Sequence, residues 1–171
     1  LAILLLMTGH FAGSVYVRPF LEQVTLLDTT PIALALLGFG VASVIGNVLG
    51  GRMADTSIRL ALIVTAALMA FATIALVVWG VHSGAAFALV ALWGLAFGMA
   101  PVVLPTNLSR GAPDALEAAG SLMVVSFQVA ISIGAVFGGY IVDSYGATAP
   151  LALTAILAAS TVALALLQRR D

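Results

Sequence analysis

The run Ile45-Gly-Asn-Val-Leu-Gly-Gly-Arg-Met-Ala-Asp55 aligns without gaps to Ile133-Gly-Ala-Val-Phe-Gly-Gly-Tyr-Ile-Val-Asp143. Both read I-G-x-V-x-G-G-x-x-x-D, with six identities in eleven positions, and both close a hydrophobic run. Small residues recur in membrane helices for packing alone, and Gly46-x-x-x-Gly50 and Gly134-x-x-x-Gly138 are ordinary close-approach motifs. The match extends beyond what packing requires. If the hydrophobic runs are spans, the copies fall in the second and fifth, so the unit is three helices used twice. Three is odd, so the copies enter the membrane in opposite directions, with Asp55 expected on the cytoplasmic side and Asp143 on the periplasmic side. The first and fourth runs also share a pattern, Gly9-x-x-x-Gly13 and Gly94-x-x-x-Gly98, each followed by proline.

Composition makes the membrane reading necessary. Of 171 residues, 6 are Lys or Arg and 7 are Asp or Glu, and 63% are hydrophobic. A soluble domain uses about a quarter of its residues as charges, so lipid must be part of the solvent here. Net charge is −1, which leaves no basic patch for a nucleic-acid partner. With no cysteine there is neither a disulfide nor a thiolate metal site. The chain opens at Leu1 inside a hydrophobic run, without the basic start and small-residue cleavage site of a secretory signal. It is expected to be a fragment of something longer.

A spanning helix needs about 20 apolar residues, and the charges punctuate the sequence at that interval. Six spans are predicted, at about 1–21, 29–52, 60–79, 85–108, 118–142 and 149–168. The third and fourth come from one uncharged stretch between Arg59 and Arg110, divided at Gly80, His82, Ser83 and Gly84. The fold class is therefore an all-α membrane protein of two inverted three-helix repeats. Cytoplasmic loops retain positive charge. Arg52, Arg59, Arg110, Arg169 and Arg170 share one face of such a bundle, with only Arg18 on the other, so both ends are expected to be cytoplasmic.

Polarity within the spans is uneven. The third offers only Thr65 and Thr73, the sixth only Thr154, Ser160 and Thr161, and helices apolar all round can face lipid. The first, second, fourth and fifth carry the remaining polar groups, which cost several kcal/mol in hydrocarbon if unpaired. Those four are expected to be the inner helices. Ionisable and strongly polar residues inside spans are functional candidates by default, which selects His10, Tyr16, Arg18, Asn47 and Gln128 as cavity candidates. Against this, His10 can equally serve a contact between helices, and Asn47 and Gln128 can be interhelical glue. Arg18 and Glu22 stand at i,i+4, the spacing of a simple surface ion pair. Pro19 is placed to kink the first helix. Trp79 and Trp93 fit an interface or packing equally well.

On these features the chain resembles the major facilitator superfamily, specifically the C-terminal six of its usual twelve helices. The stretch Gly51-Arg-Met-Ala-Asp55-Thr-Ser-Ile-Arg59 is similar to the family's G-x-L-a-D-r-x-G-r loop. Gly51, Asp55 and Arg59 match, whereas Thr56 replaces a basic residue and Ile58 a glycine. An acid near a helix end with basic residues in the loop is able to form a breakable cytoplasmic latch, so the resemblance makes these three a gating loop. Trp93-Gly-Leu-Ala-Phe-Gly, Pro105 through Asp114, Ala119 through Asp143 and Tyr16-Val-Arg18-Pro-Phe20 resemble the bacterial drug and sugar efflux branch, the arabinose-efflux-permease-like proteins. That resemblance implies a bacterial inner-membrane secondary transporter. It would export a drug, sugar or metabolite by alternating access, as an antiporter, with proton entry as energy source and no bound cofactor. Its partners would be the bilayer, a small-molecule substrate and a missing N-terminal six-helix half. Histidine is the side chain whose ordinary pKa lies near neutral pH, which makes His10 the expected mid-span group to take a proton.

Two other readings stand beside this one. A self-contained six-helix unit could dimerise to form the pathway. An intramembrane serine protease needs a G-x-S turn and a helical histidine base, but no glycine in this chain is followed two places later by serine. An enzyme is therefore not expected.

Overall fold

The computed structural model describes residues 1–111 and 113–167, all of them helix or short connection. Gln168, Arg169 and Arg170, which carry the end of the sixth span and part of the arginine asymmetry, lie outside the described residues. Seven α-helices follow in order: α1 Ala2–Ser14, α2 Val17–Gln23, α3 Thr29–Thr56, α4 Ile58–Trp79, α5 Ser83–Gly111, α6 Leu116–Tyr145 and α7 Ala149–Leu167. A short 3₁₀ turn, Pro113–Ala115, precedes α6. Among the described residues α3 to α7 are the 5 helices long and apolar enough to cross a membrane, while α1 is a shorter apolar helix. The chain is an all-α, multi-pass membrane bundle.

The expected first span is two helices, and chemistry explains where it divides. Pro19 has no N–H to give the Val15 carbonyl, and its ring crowds that carbonyl. The backbone accordingly leaves the helix at Tyr16 (φ −108°, ψ 11°) and restarts at Val17, which puts Pro19 in the first turn of α2. A proline is tolerated there because that N–H has no helical partner to lose.

Elsewhere the helices overrun their hydrophobic stretches. α3 has 28 residues, about 42 Å at 1.5 Å per residue, against a hydrocarbon core of about 30 Å. Its last turns carry Arg52 and Asp55, so the anticipated loop from Gly51 to Arg59 is reduced to one residue. That residue, Ser57, is extended (φ −157°, ψ 104°) and serves as N-cap of α4, its Oγ accepting from the Leu60 N–H at 3.3 Å. The turn between α4 and α5 falls at Gly80 to His82, within the expected cluster. Gly146 ends α6 at φ +84° and ψ 174°, a backbone region essentially reserved for glycine.

Packing is closest along the series α3–α5–α4–α7–α1–α6. Glycines set these approaches. A Cβ at Gly46 or Gly50 would strike the α5 backbone at Leu95 or Met99, and one at Gly94 or Gly98 would strike α3 at Phe39 or Ser43. Gly134 and Gly138 similarly receive the α1 backbone around Thr8 and Ala12. Gly9 and Gly13 face α7 and Trp93 instead, so the glycine pair shared by the first and fourth runs does not play the same part in both.

Burial within this chain departs from the expected division into four inner and two lipid-facing helices: α5 is as buried as α4, but α3 and α6 are the least covered. α4 and α7 lie mid-series, and 50% of the most apolar stretch of α4 is buried, compared with 17% for α3 and for α6. The hydroxyls that α4 carries, Thr65 and Thr73, are satisfied by their own helix, donating to the Ala61 and Met69 carbonyls at 2.7 and 2.8 Å. Such self-satisfied threonines need no cavity. The outer side of α4 still exposes Phe71, Ile74 and Val78. α3 and α6 expose more, long runs of large apolar residues such as Leu37, Val44, Val125 and Val136, with Asn47 and Gln128 uncovered among them.

Candidate functional site

α1 brings His10 to the place where α3 and α5 come together. The imidazole is 2% exposed and is boxed by aromatic rings from three helices. Phe97 of α5 stacks on it at 3.9 Å between centroids and 5° between planes. Trp93 and Phe11 approach edge-on at 5.7 and 5.0 Å, and Phe39 of α3 lies near-parallel at 6.3 Å. Gly94 makes this possible, because only a residue without Cβ lets the Phe39 backbone so near α5. Phe39 then meets Trp93 at 6.0 Å and Phe97 at 5.9 Å. Among the described residues, His10 Nδ1 and Trp93 Nε1 are the buried side-chain polar atoms without a hydrogen-bond partner. A polar group left so costs about 1–3 kcal/mol, and in a membrane span no bulk water relieves it.

Tyr16 occupies the break between α1 and α2. Its hydroxyl donates to the Ala135 carbonyl of α6 at 2.9 Å. The second copy of the repeat provides the seat: a Cβ at Gly139 would lie 2.6 Å from Tyr16 Oη, and one at Gly138 would lie 2.8 Å from Cε2. Tyr16 thus acts as an anchor of the helix break.

The other candidates are not brought to this cluster. Arg18 is turned outward and its Nε donates to Glu22 Oε1 at 2.7 Å, with both side chains substantially exposed. A pair of that kind contributes at most about 1 kcal/mol. Asn47 on α3 and Gln128 on α6 are exposed. They sit about 7 and 4 Å from the midpoints of their helices at 1.5 Å per residue, at depths where hydrocarbon would be costly for an amide. The set therefore divides into a sealed aromatic box, an anchored break, a surface ion pair and two uncovered amides.

Gly51, Asp55 and Arg59 lie on the last turns of α3 and the first turn of α4. Arg59 does not pair with Asp55. Its Nε and Nη2 donate to the carbonyls of Ala165 and Leu166, at 3.0 and 2.6 Å. A guanidinium there adds charge-assisted hydrogen bonds to carbonyls in the last described turn of α7. The contact also puts the end of α7 on the same side of the bundle as the ends of α3 and α5 and the start of α4. At the opposite end, the Thr25 hydroxyl donates to the Gly80 carbonyl at 2.7 Å, and the Phe20 ring fills the space a Gly80 Cβ would need.

Sequence reasoning missed the aromatic box. A signal was available, since Trp93 and Phe97 stand at i,i+4 and so share a face of α5 beside Gly94 and Gly98. The α7 carbonyls that receive Arg59 left no local signal. A groove between α4 and α7 around Phe71, Ile74, Ala155 and Ile156 is lined by apolar residues alone and offers a ligand no polar contact.

Comparison with known proteins agrees with this architecture. The profile of the Major Facilitator Superfamily matches residues 1–171, the whole chain. The purine ribonucleoside efflux pump NepI of Salmonella paratyphi C is 37% identical over 154 residues, which is 90% of this chain and 39% of that protein. NepI of Salmonella enteritidis PT4 is 36% identical over 157 residues, 92% of this chain and 40% of that protein. This chain therefore spans about two-fifths of the length of the curated relatives it matches. No solved structure matches it. The chain belongs to the major facilitator superfamily.

Proposed function

We propose that this superfamily member is the C-terminal half of a twelve-helix secondary transporter of the bacterial inner membrane, exporting purine ribonucleosides or closely similar small molecules. α1 and α2 together count as one span, giving six in two inverted three-helix units. The observation that carries this reading is the match of nine-tenths of the chain to two-fifths of proteins named as efflux pumps.

Packing supports the repeat. Exchanging α1 with α5, α3 with α6 and α4 with α7 carries each main helix contact onto another: α3–α5 becomes α6–α1, α4–α5 becomes α7–α1, and α4–α7 maps to itself. This is the relation expected of an inverted pair. The uncovered amides support a missing half. Asn47 and Gln128 belong to the two helices at the ends of the packing series, and an amide at that depth needs a polar partner or a water-filled path. An N-terminal half laid against α3 and α6 supplies one and closes the pathway between the two bundles. Arg52, Arg59 and Arg110 stand at one end of the bundle, which the positive-inside bias makes cytoplasmic.

Export then proceeds by alternating access, with proton entry supplying the energy. Gly51, Asp55 and Arg59 form the cytoplasmic gating element, in which Arg59 holds the end of α7 and releases it as the bundle rocks. Everted membrane vesicles carrying the full-length protein test the reading with labelled inosine. Accumulation on acidifying the lumen, collapsed by a protonophore, is the expected result. Accumulation indifferent to the gradient would refute proton coupling, and no movement of inosine would refute the nucleoside assignment. A His10→Ala variant that keeps gradient-driven accumulation removes His10 from the coupling.

A further inference from the structure

The two buried, unpartnered polar atoms of the described residues belong to one cluster: His10 Nδ1 and Trp93 Nε1, on rings 5.7 Å apart. Both side chains are sealed, at 2% and 0% exposure. The rings that cover them, Phe97, Phe39 and Phe11, are only half-buried. Phe97 is the direct cover, lying flat on the imidazole at 3.9 Å. It also stands four residues before Pro101, which has no N–H for the Phe97 carbonyl, and Pro105 repeats the loss at the Pro101 carbonyl. α5 is therefore weakest just past the covering ring.

We propose that His10 and Trp93 form the polar end of a binding site for a flat, hydrogen-bonding heteroaromatic ring, with Phe97 as its displaceable cover. The inference rests on the export reading for its route of access. A heteroaromatic ring that replaces Phe97 keeps the stack on the imidazole and can accept from Trp93 Nε1, while His10 Nδ1, whose hydrogen bond lies in the imidazole plane, is met by a polar substituent reaching past the ring's edge. Trp93 Nε1 donates, so the ring presents a nitrogen or carbonyl acceptor there, while His10 Nδ1 takes either role according to its tautomer. A bare sugar cannot replace the stack, and an apolar ring cannot satisfy the polar atoms. Such a ligand favours the uncovered arrangement over the sealed one, and differential affinity is what lets a ligand shift a conformational equilibrium.

Equilibrium binding of inosine to the purified full-length protein tests this, with ribose as the ringless comparison. Trp93→Phe keeps a ring and removes the donor, and is expected to weaken inosine about tenfold, the worth of one hydrogen bond. Phe97→Leu removes the competing stack, and is expected to tighten inosine by about threefold. Trp79→Phe, an exposed tryptophan at the end of α4, leaves inosine binding unchanged, and ribose does not bind. These opposite signs separate a ligand site from a packing cluster, in which both substitutions inside the box would weaken binding. Trp93→Phe with wild-type affinity, or Phe97→Leu with reduced affinity, overturns the inference while the export reading stands. Should Trp93→Phe fail to fold, the half-buried Phe97 decides by its sign alone. A wild-type protein that does not bind inosine contradicts the nucleoside reading and this inference with it.

Discussion

Tyr16 sits where α1 gives way to α2, and its environment separates the two copies of the repeat at the level of single atoms. In the second copy the paired glycines are both needed, because a Cβ at Gly138 or Gly139 would run into the Tyr16 ring or hydroxyl. In the first copy Gly50 meets Met99 closely, but a Cβ at Gly51 would find only Val102 Cγ1, at 4.0 Å. Gly139→Ala is therefore expected to displace Tyr16 and cost about 1–3 kcal/mol, the usual price of overpacking. Gly51→Ala should stay within about 0.5 kcal/mol. Thermal unfolding of the two variants in detergent checks the difference, and equal losses would deny the Tyr16 seat. Gly146→Ala is expected to lower the melting temperature without any clash. Nothing lies within 4 Å of its Cβ, so the loss of about 1–3 kcal/mol comes from the backbone conformation alone. The glycine pattern was visible in the sequence, but which member of each pair is indispensable depends on a tyrosine more than a hundred residues away. His10 was visible as a polar group inside a span. Its aromatic company was not, since Phe39 reaches it only through the close approach of α3 to α5.

Elements were the most legible scale. Charge spacing located every long helix to within a few residues, because each run had to fill the same hydrocarbon thickness. Where the bounds differ, the helices run a few residues past the hydrophobic stretches, so α3 absorbed most of the expected gating loop. Proline marked the one real interruption, although the break falls at the carbonyl the proline fails to satisfy and not at the proline itself. Arg59 shows where local reading ends, since its acceptors belong to a helix that starts ninety residues later. Arg59→Ala is expected to speed amide exchange in the last turn of α7 by about tenfold, through loss of two charge-assisted bonds to its C-terminus. Arg59→Lys should give part of that effect, because a lysine lacks the planar fork. Unchanged exchange in both would assign the stability of that turn to apolar packing.

For the whole molecule, the polar residues within the spans single out α3 and α6 as helices whose amides need a partner that this bundle does not provide. The amides are not covered inside this bundle. They sit on helices at the ends of the packing series, where the proposed second bundle would cover them. An isolated sequence cannot convey this distinction, because a polar residue facing a cavity and one facing a partner have the same periodicity. On the proposed function, the uncovered sides of α3 and α6 line a substrate pathway. The most direct measurement is labelling of Asn47→Cys and Gln128→Cys by a membrane-impermeant maleimide in the full-length protein, with any other cysteines replaced. This chain contributes none. Both positions are predicted to react from the aqueous phase, and inosine is predicted to slow the reaction. Cysteines that stay unreactive from both sides of the membrane, with or without inosine, would put these positions against lipid or in a closed contact and rule out a pathway along α3 and α6.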